Sequence, residues 1–116
     1  MATDPLETAA LLRQREEARR RAAAARARAL GERLPEARRI LEARGATRIW
    51  LFGSLAGRSF AMESDVDLAV EGLARADYFD VVAELRALLG CPVDLVRIEE
   101  AVPSLAERII AEGRLL

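Results

Sequence analysis

The chain has 116 residues, is 52% hydrophobic and carries a net charge of −1, so it can build one small core and little more. It contains no histidine and one cysteine, Cys91, which excludes Ser-His-Asp or Cys-His catalysis, the usual His-bearing zinc sites and an internal disulfide. No run approaches the ~20 apolar residues of a membrane span, and Met1–Asp4 is not a basic stretch leading into an apolar one. A soluble, cytoplasmic protein is expected.

The first predicted element is a helix over residues 5–30. Asp4 is a good N-cap, Pro5 suits the first helical position, and Glu7 completes an Asp-x-x-Glu capping pattern. Ala and Arg then dominate until Gly31, which offers a stop. Leu11, Ala18, Ala22, Ala25 and Ala29 recur at helical spacing, but such small side chains bury little area. A second helix is predicted from Pro35 to Arg44, with Ile40 and Leu41 inward and Gly45 past its end. Arg48–Phe52 reads as a buried strand that Gly53-Ser54 ends abruptly. Residues 55–64 connect it to an alternating strand over Asp65–Glu71, with Val66, Leu68 and Val70 on one side and Asp65, Asp67 and Ala69 on the other. Tyr78, Val81, Val82, Leu85, Leu88 and Leu89 form a helical stripe between Asp77 as cap and Gly90 as stop. Val93–Ile98 is a third strand, and Pro103 opens a last helix that ends near Gly113. The pattern is α/β (α+β): a small sheet flanked by helices, behind a long N-terminal helix. It divides into an Ala/Arg-rich arm, residues 1–34, and a globular unit, residues 35–116.

The near-neutral total hides an asymmetry. Residues 1–44 carry 11 Arg against 7 acids, net +4, whereas residues 45–116 carry 7 Arg against 12 acids, net −5. A basic arm of this kind is either a solvated Arg/Glu helix or a docking element, for a second copy of the chain or for an acidic partner. Interleaved Glu and the lack of aromatic residues in the arm argue against nucleic acid.

Asp65 and Asp67 leave the same face of one strand, roughly 6–7 Å apart at the backbone. By itself Asp-x-Asp also describes a strand edge or a turn. Here the strand is otherwise apolar, and desolvating an unpaired carboxylate is costly. Asp94 repeats the feature on the next strand and could meet the pair if that strand is adjacent and in register. Three converging carboxylates need protons, Arg partners or divalent cations, and an all-oxygen donor set favours Mg²⁺ or Mn²⁺. Upstream, Gly53-Ser54 follows a buried strand, where bare backbone, amides and a hydroxyl can hold phosphate oxygens.

Leu51-Phe52-Gly53-Ser54, ten residues, then Ser64-Asp65-Val66-Asp67-Leu68 resembles the signature of the DNA polymerase β-like nucleotidyltransferase superfamily. The wording is most similar to its minimal nucleotidyltransferases, the MNT-type antitoxins, over about residues 36–116, including the closing Glu112–Leu116. The resemblance implies a mixed sheet flanked by helices and nucleotide transfer from ATP with two Mg²⁺ ions. It implies that Gly53 and Ser54 hold the triphosphate, that Asp65, Asp67 and Asp94 bind metal, and that Asp94 takes the acceptor's proton. It also implies a HEPN-domain toxin as partner, silenced by AMP placed on one of its hydroxyls. Relatives continue Gly-Ser with Arg-Ala-Arg-Gly, whereas this chain has Leu55-Ala56-Gly57-Arg58. Arg58 is the candidate to compensate in gripping phosphate; Arg48 is read as structural. Two alternatives stay open: an antitoxin that neutralises by binding alone, and a nucleotidyltransferase acting on a small molecule or nucleic acid.

Overall fold

In the computed structural model, residues 4–57 and 65–116 are described. Helix α1 spans Pro5–Ala43, β1 Arg48–Phe52, β2 Val66–Glu71, α2 Tyr78–Leu89, β3 Val93–Arg97, α3 Pro103–Glu112 and β4 Arg114–Leu115. The Asp4 carboxylate caps α1 by accepting from the Leu6 N–H at 2.9 Å. The helix does not stop at Gly31; it runs on through Pro35, which stands inside it. The break expected there rested on Gly31 as a stop and on Pro35 as a first helical position, and an interior proline costs about 3 kcal/mol. What outweighs it is burial along one continuous face: Leu30, Leu34, Ala37 and Leu41 are each at most 4% exposed. Past the end of the helix, the Gly45 N–H reaches the Glu42 carbonyl and the Ala46 N–H reaches that of Leu41.

The four strands lie in the order β3-β2-β1-β4. β1 is antiparallel to β2 and to β4, whereas β2 and β3 are parallel, joined through α2. Alternation gives the sheet two unlike faces. Ile49 and Leu51 of β1, Val66, Leu68 and Val70 of β2, and Val93 and Leu95 of β3 pack with α1 and α2 in the main core. On the other face Trp50, Ala69 and Ile109 form a smaller cluster, with Phe52, Val96, Ile98 and Leu105 around it.

α3 and β4 complete that second face. Gly113 makes their junction possible, since a Cβ there would meet the Ile109 carbonyl at 2.5 Å and the Trp50 Cβ at 3.3 Å. Strand β4 was not expected. Two residues are too few for alternation to register, and it exists because Trp50 and Leu51 offer a free strand edge to Leu115 and Arg114. Gly90 closes α2 as expected, at φ +66°. Asp77 does not cap α2 with its side chain; its carboxylate accepts from Arg44 instead, at 3.1 Å.

The first 25 residues of α1 stand largely clear of the sheet. Leu6, Leu11 and Leu12 are 77%, 48% and 56% exposed, and the molecule measures 62 × 29 × 20 Å, its long axis set by this helix. The stripe Ala18, Ala22, Ala25 and Ala29 is exposed throughout. At 100° per residue it lies roughly 115° around the helix from the buried face, so it does not pack on the core. Among the described residues, no helix is long and apolar enough to cross a membrane.

Candidate active site

Register across three strands builds the site. Phe52 pairs with Asp67, and Asp67 with Asp94; the next row runs Trp50, Ala69, Val96. Ile109 of α3 packs with Trp50 and Ala69. The acidic row lies one step further along the strands, beside the turn that follows β1. Asp94 is thus adjacent and in register with Asp67, the condition left open by the sequence. Asp65 immediately precedes β2, exposed, two residues from Asp67 and on its face.

Asp67 is half-buried and Asp94 exposed. Partial desolvation, followed by the charges of Asp94 and then Asp65, raises the Asp67 pKa above its ordinary value. Asp67 therefore senses the charges of both neighbouring carboxylates. Among the described residues, no three acidic, His or Cys side chains are gathered into a finished metal cage. An all-carboxylate donor set on one face suits a hard divalent ion such as Mg²⁺.

β1 ends in a tight 3₁₀ turn, Gly53–Leu55, and the Gly57 N–H bonds back to the Gly53 carbonyl at 3.3 Å. Gly53 adopts φ +71°, and a Cβ there would collide with the Asp67 carboxylate, lying 3.0 Å from its Cγ. Glycine is therefore demanded twice, by the backbone angle and by the approach of Asp67. The turn brings the Gly53 backbone against Asp67 without a side chain intervening, and Ser54 follows it in the same turn. Arg58 lies outside the described residues.

The same turn walls a cleft of about 440 Å³, lined by Phe52, Gly53, Ala56 and Gly57 and by Leu105, Arg108, Ile109, Glu112 and Gly113. Arg108 was not singled out from the sequence, and Glu112 only as the start of the closing Glu112–Leu116. Arg-x3-Glu on a helix has the spacing of an ordinary solvated ion pair, and only the packing of α3 on β1 sets these residues beside Gly53. Arg48, in contrast, is structural as expected. It grips Glu71 through Nε at 2.9 Å and Nη2 at 2.8 Å and lies over the Trp50 ring, at the opposite end of β1 from the site.

A glycine turn after a buried strand, set against carboxylates on two neighbouring strands, has the chemistry to accept phosphate oxygens and a divalent cation. The match to Polymerase beta, Nucleotidyltransferase covers residues 37–116, most of the chain. The chain belongs to the polymerase β nucleotidyltransferase family. No curated protein sequence matches it. Among solved structures it is similar to a minimal nucleotidyltransferase at 29% identity and TM-score 0.71, over 78% of this chain and 95% of that one. It is also similar, at 26% identity and TM-score 0.60, to a chain from a toxin–antitoxin complex with AMP-PNP. That match covers 66% of each chain, so this chain spans just under two thirds of that relative. A complex of a tri-AMPylated Shewanella oneidensis HEPN toxin with its MNT antitoxin shares the fold at 22% identity and TM-score 0.59, over 74% of this chain and 70% of that one.

Proposed function

We propose that this nucleotidyltransferase is the antitoxin of a HEPN/MNT pair and transfers AMP from ATP to a hydroxyl of its HEPN partner, with Mg²⁺. The observation that carries the reading is the register of Asp67 with Asp94 beside the Gly53 turn. The likeness to a chain from a toxin–antitoxin complex with AMP-PNP supports an adenine nucleotide and a toxin–antitoxin pairing.

In this reading the backbone amides at Gly53 and Ser54 and the Ser54 hydroxyl orient the triphosphate, and Asp65, Asp67 and Asp94 hold two Mg²⁺ ions. The ions would supply charge neutralisation at the attacking and leaving oxygens. The acceptor oxygen attacks the α-phosphorus in line; the new O–P bond forms as the bond to the bridging oxygen breaks, and pyrophosphate leaves. Asp94, the exposed member of the acidic row, takes the hydroxyl proton. No protein nucleophile is required, in keeping with a chain that lacks histidine. Catalysis is then mainly positioning and electrostatics. Arg58 is assigned to phosphate. The arm, residues 1–34, is assigned to docking, on the HEPN partner or a second copy, and residues 35–116 to chemistry, Leu30 and Leu34 anchoring the one to the other.

The test is incubation with ATP labelled at the α-phosphate, Mg²⁺ and the HEPN protein encoded beside this gene. Label on the HEPN protein, lost with EDTA, is the expected result. The second reading, neutralisation by binding alone, is favoured by one observation: the Gly53–Gly57 segment carries no basic residue. It predicts an inhibited HEPN protein that stays unlabelled.

A further inference from the structure

We propose that Arg108, on α3, binds the β- and γ-phosphates of the nucleotide across the cavity from the Gly53 turn. The inference rests on the nucleotidyltransferase reading and adds to it a residue that lies outside the glycine–aspartate signature. A triphosphate entering beside Asp67 brings negative charge to a face already crowded with carboxylates. The turn that would cradle it, Gly53-Ser54-Leu55-Ala56-Gly57, supplies amides and a hydroxyl but no cation. Arg58, the next residue, is a single positive charge against a triphosphate and three carboxylates, so a second cation from another element is called for. α3 forms the far wall of the cavity, and Arg108 is the one basic side chain lining it among the described residues.

Arg108 is also available. Arg44, Arg48, Arg75 and Arg97 all hold carboxylates, whereas Arg108 is exposed and makes no ion pair among the described residues, although Glu112 stands one turn further along α3. A guanidinium presents a planar fork that meets two phosphate oxygens at once, which an ammonium cannot do. Glycine backbone at Gly53 and Gly57 lets phosphate approach closely, Leu105 and Ile109 give the cavity an apolar wall, and Glu112 is the one carboxylate lining it among the described residues. Because α3 is pinned to the sheet through Ile109, buried against Trp50 and Ala69, the adjacent Arg108 is carried on a rigid element.

The test is calorimetric titration of the full chain and its R108Q and R108K variants with ATP, inorganic triphosphate and AMP, each with Mg²⁺. Arg108→Gln should weaken ATP and triphosphate roughly tenfold or more, the scale of a charge-assisted hydrogen bond. It should change AMP binding less than twofold and leave the melting temperature unaltered. Arg108→Lys should recover part of the loss. Unchanged ATP affinity in R108Q, or an equal loss for ATP and AMP, would overturn the assignment. If the wild-type chain itself binds no ATP with Mg²⁺, the nucleotidyltransferase reading falls first, and this one with it.

Discussion

Asp67 costs the protein stability for the sake of its position. Desolvation, then Asp94 and Asp65, raise its pKa from the ordinary 3.8, so the folded state holds that proton to higher pH than the unfolded chain does. Stability must therefore fall as pH rises from 3.8 through the folded pKa, and the penalty persists above it. Asp67→Asn removes the penalty. In EDTA, urea denaturation should find the variant more stable than wild type at pH 7, with the advantage gone below pH 3.8. Its AMP transfer with Mg²⁺ should drop on the order of 10²-fold or more. Wild-type activity in this variant would remove Asp67 from the site. Gly53 answers to the same carboxylate. Gly53→Ala forces a side chain to φ +71° and into Asp67, and should cost roughly 1–3 kcal/mol. A Gly53→Ala, Asp67→Ala double variant should recover part of that loss, because only the backbone strain remains.

Among the elements, α1 is held by its C-terminal third. Leu34 is 4% exposed and Leu12 is 56% exposed. Leu34→Ala should destabilise by about 2–5 kcal/mol, whereas Leu12→Ala should stay within about 0.5 kcal/mol; equal effects in denaturant titrations would contradict the packing described. Gly31 has open space where a Cβ would go and sits inside the helix, so Gly31→Ala should stabilise by about 0.5–1 kcal/mol. A loss of stability there would mean that residues 30–35 depart from helical geometry in solution. The sequence signals at Gly31 and Pro35 are genuine local penalties, and the helix crosses them because Leu30, Leu34, Ala37 and Leu41 bury one face on both sides of the would-be break.

At the scale of the whole molecule, a basic rod projects from an acidic body. Residues 1–29 carry 7 Arg against 4 acids and residues 30–116 carry 11 against 15, net +3 and −4. Residues 4–22 bury almost nothing, so deleting residues 1–22 should shift the melting temperature by no more than a degree or two, while binding of the HEPN partner or self-association weakens. In the intact chain the on-rate of that encounter should fall as salt rises. A large drop in melting temperature without loss of binding would make the arm structural. Mg²⁺ with ATP should raise the melting temperature by mass action. ATP with EDTA should raise it far less, because the acidic row then repels the triphosphate.

What the sequence determined by itself is local. Alternation on β2 assigned Val66, Leu68 and Val70 to one side and Asp65 and Asp67 to the other, and a glycine placed directly after a buried strand marked the turn at residue 53. Both follow from backbone geometry within a few residues, which no later packing can alter without exposing a whole face. Three features were decided only in the tertiary structure. Asp94 could be recognised as an acid on a strand, but its place opposite Asp67 depends on the crossover through α2 and the parallel register it sets. The unbroken α1 depends on a sheet and an α2 that lie later in the chain. Arg108 depends on α3 packing across β1, which brings residues 53 and 108 to one cavity. Each is a non-local juxtaposition, and its free energy comes from surfaces that neither segment presents until both are folded.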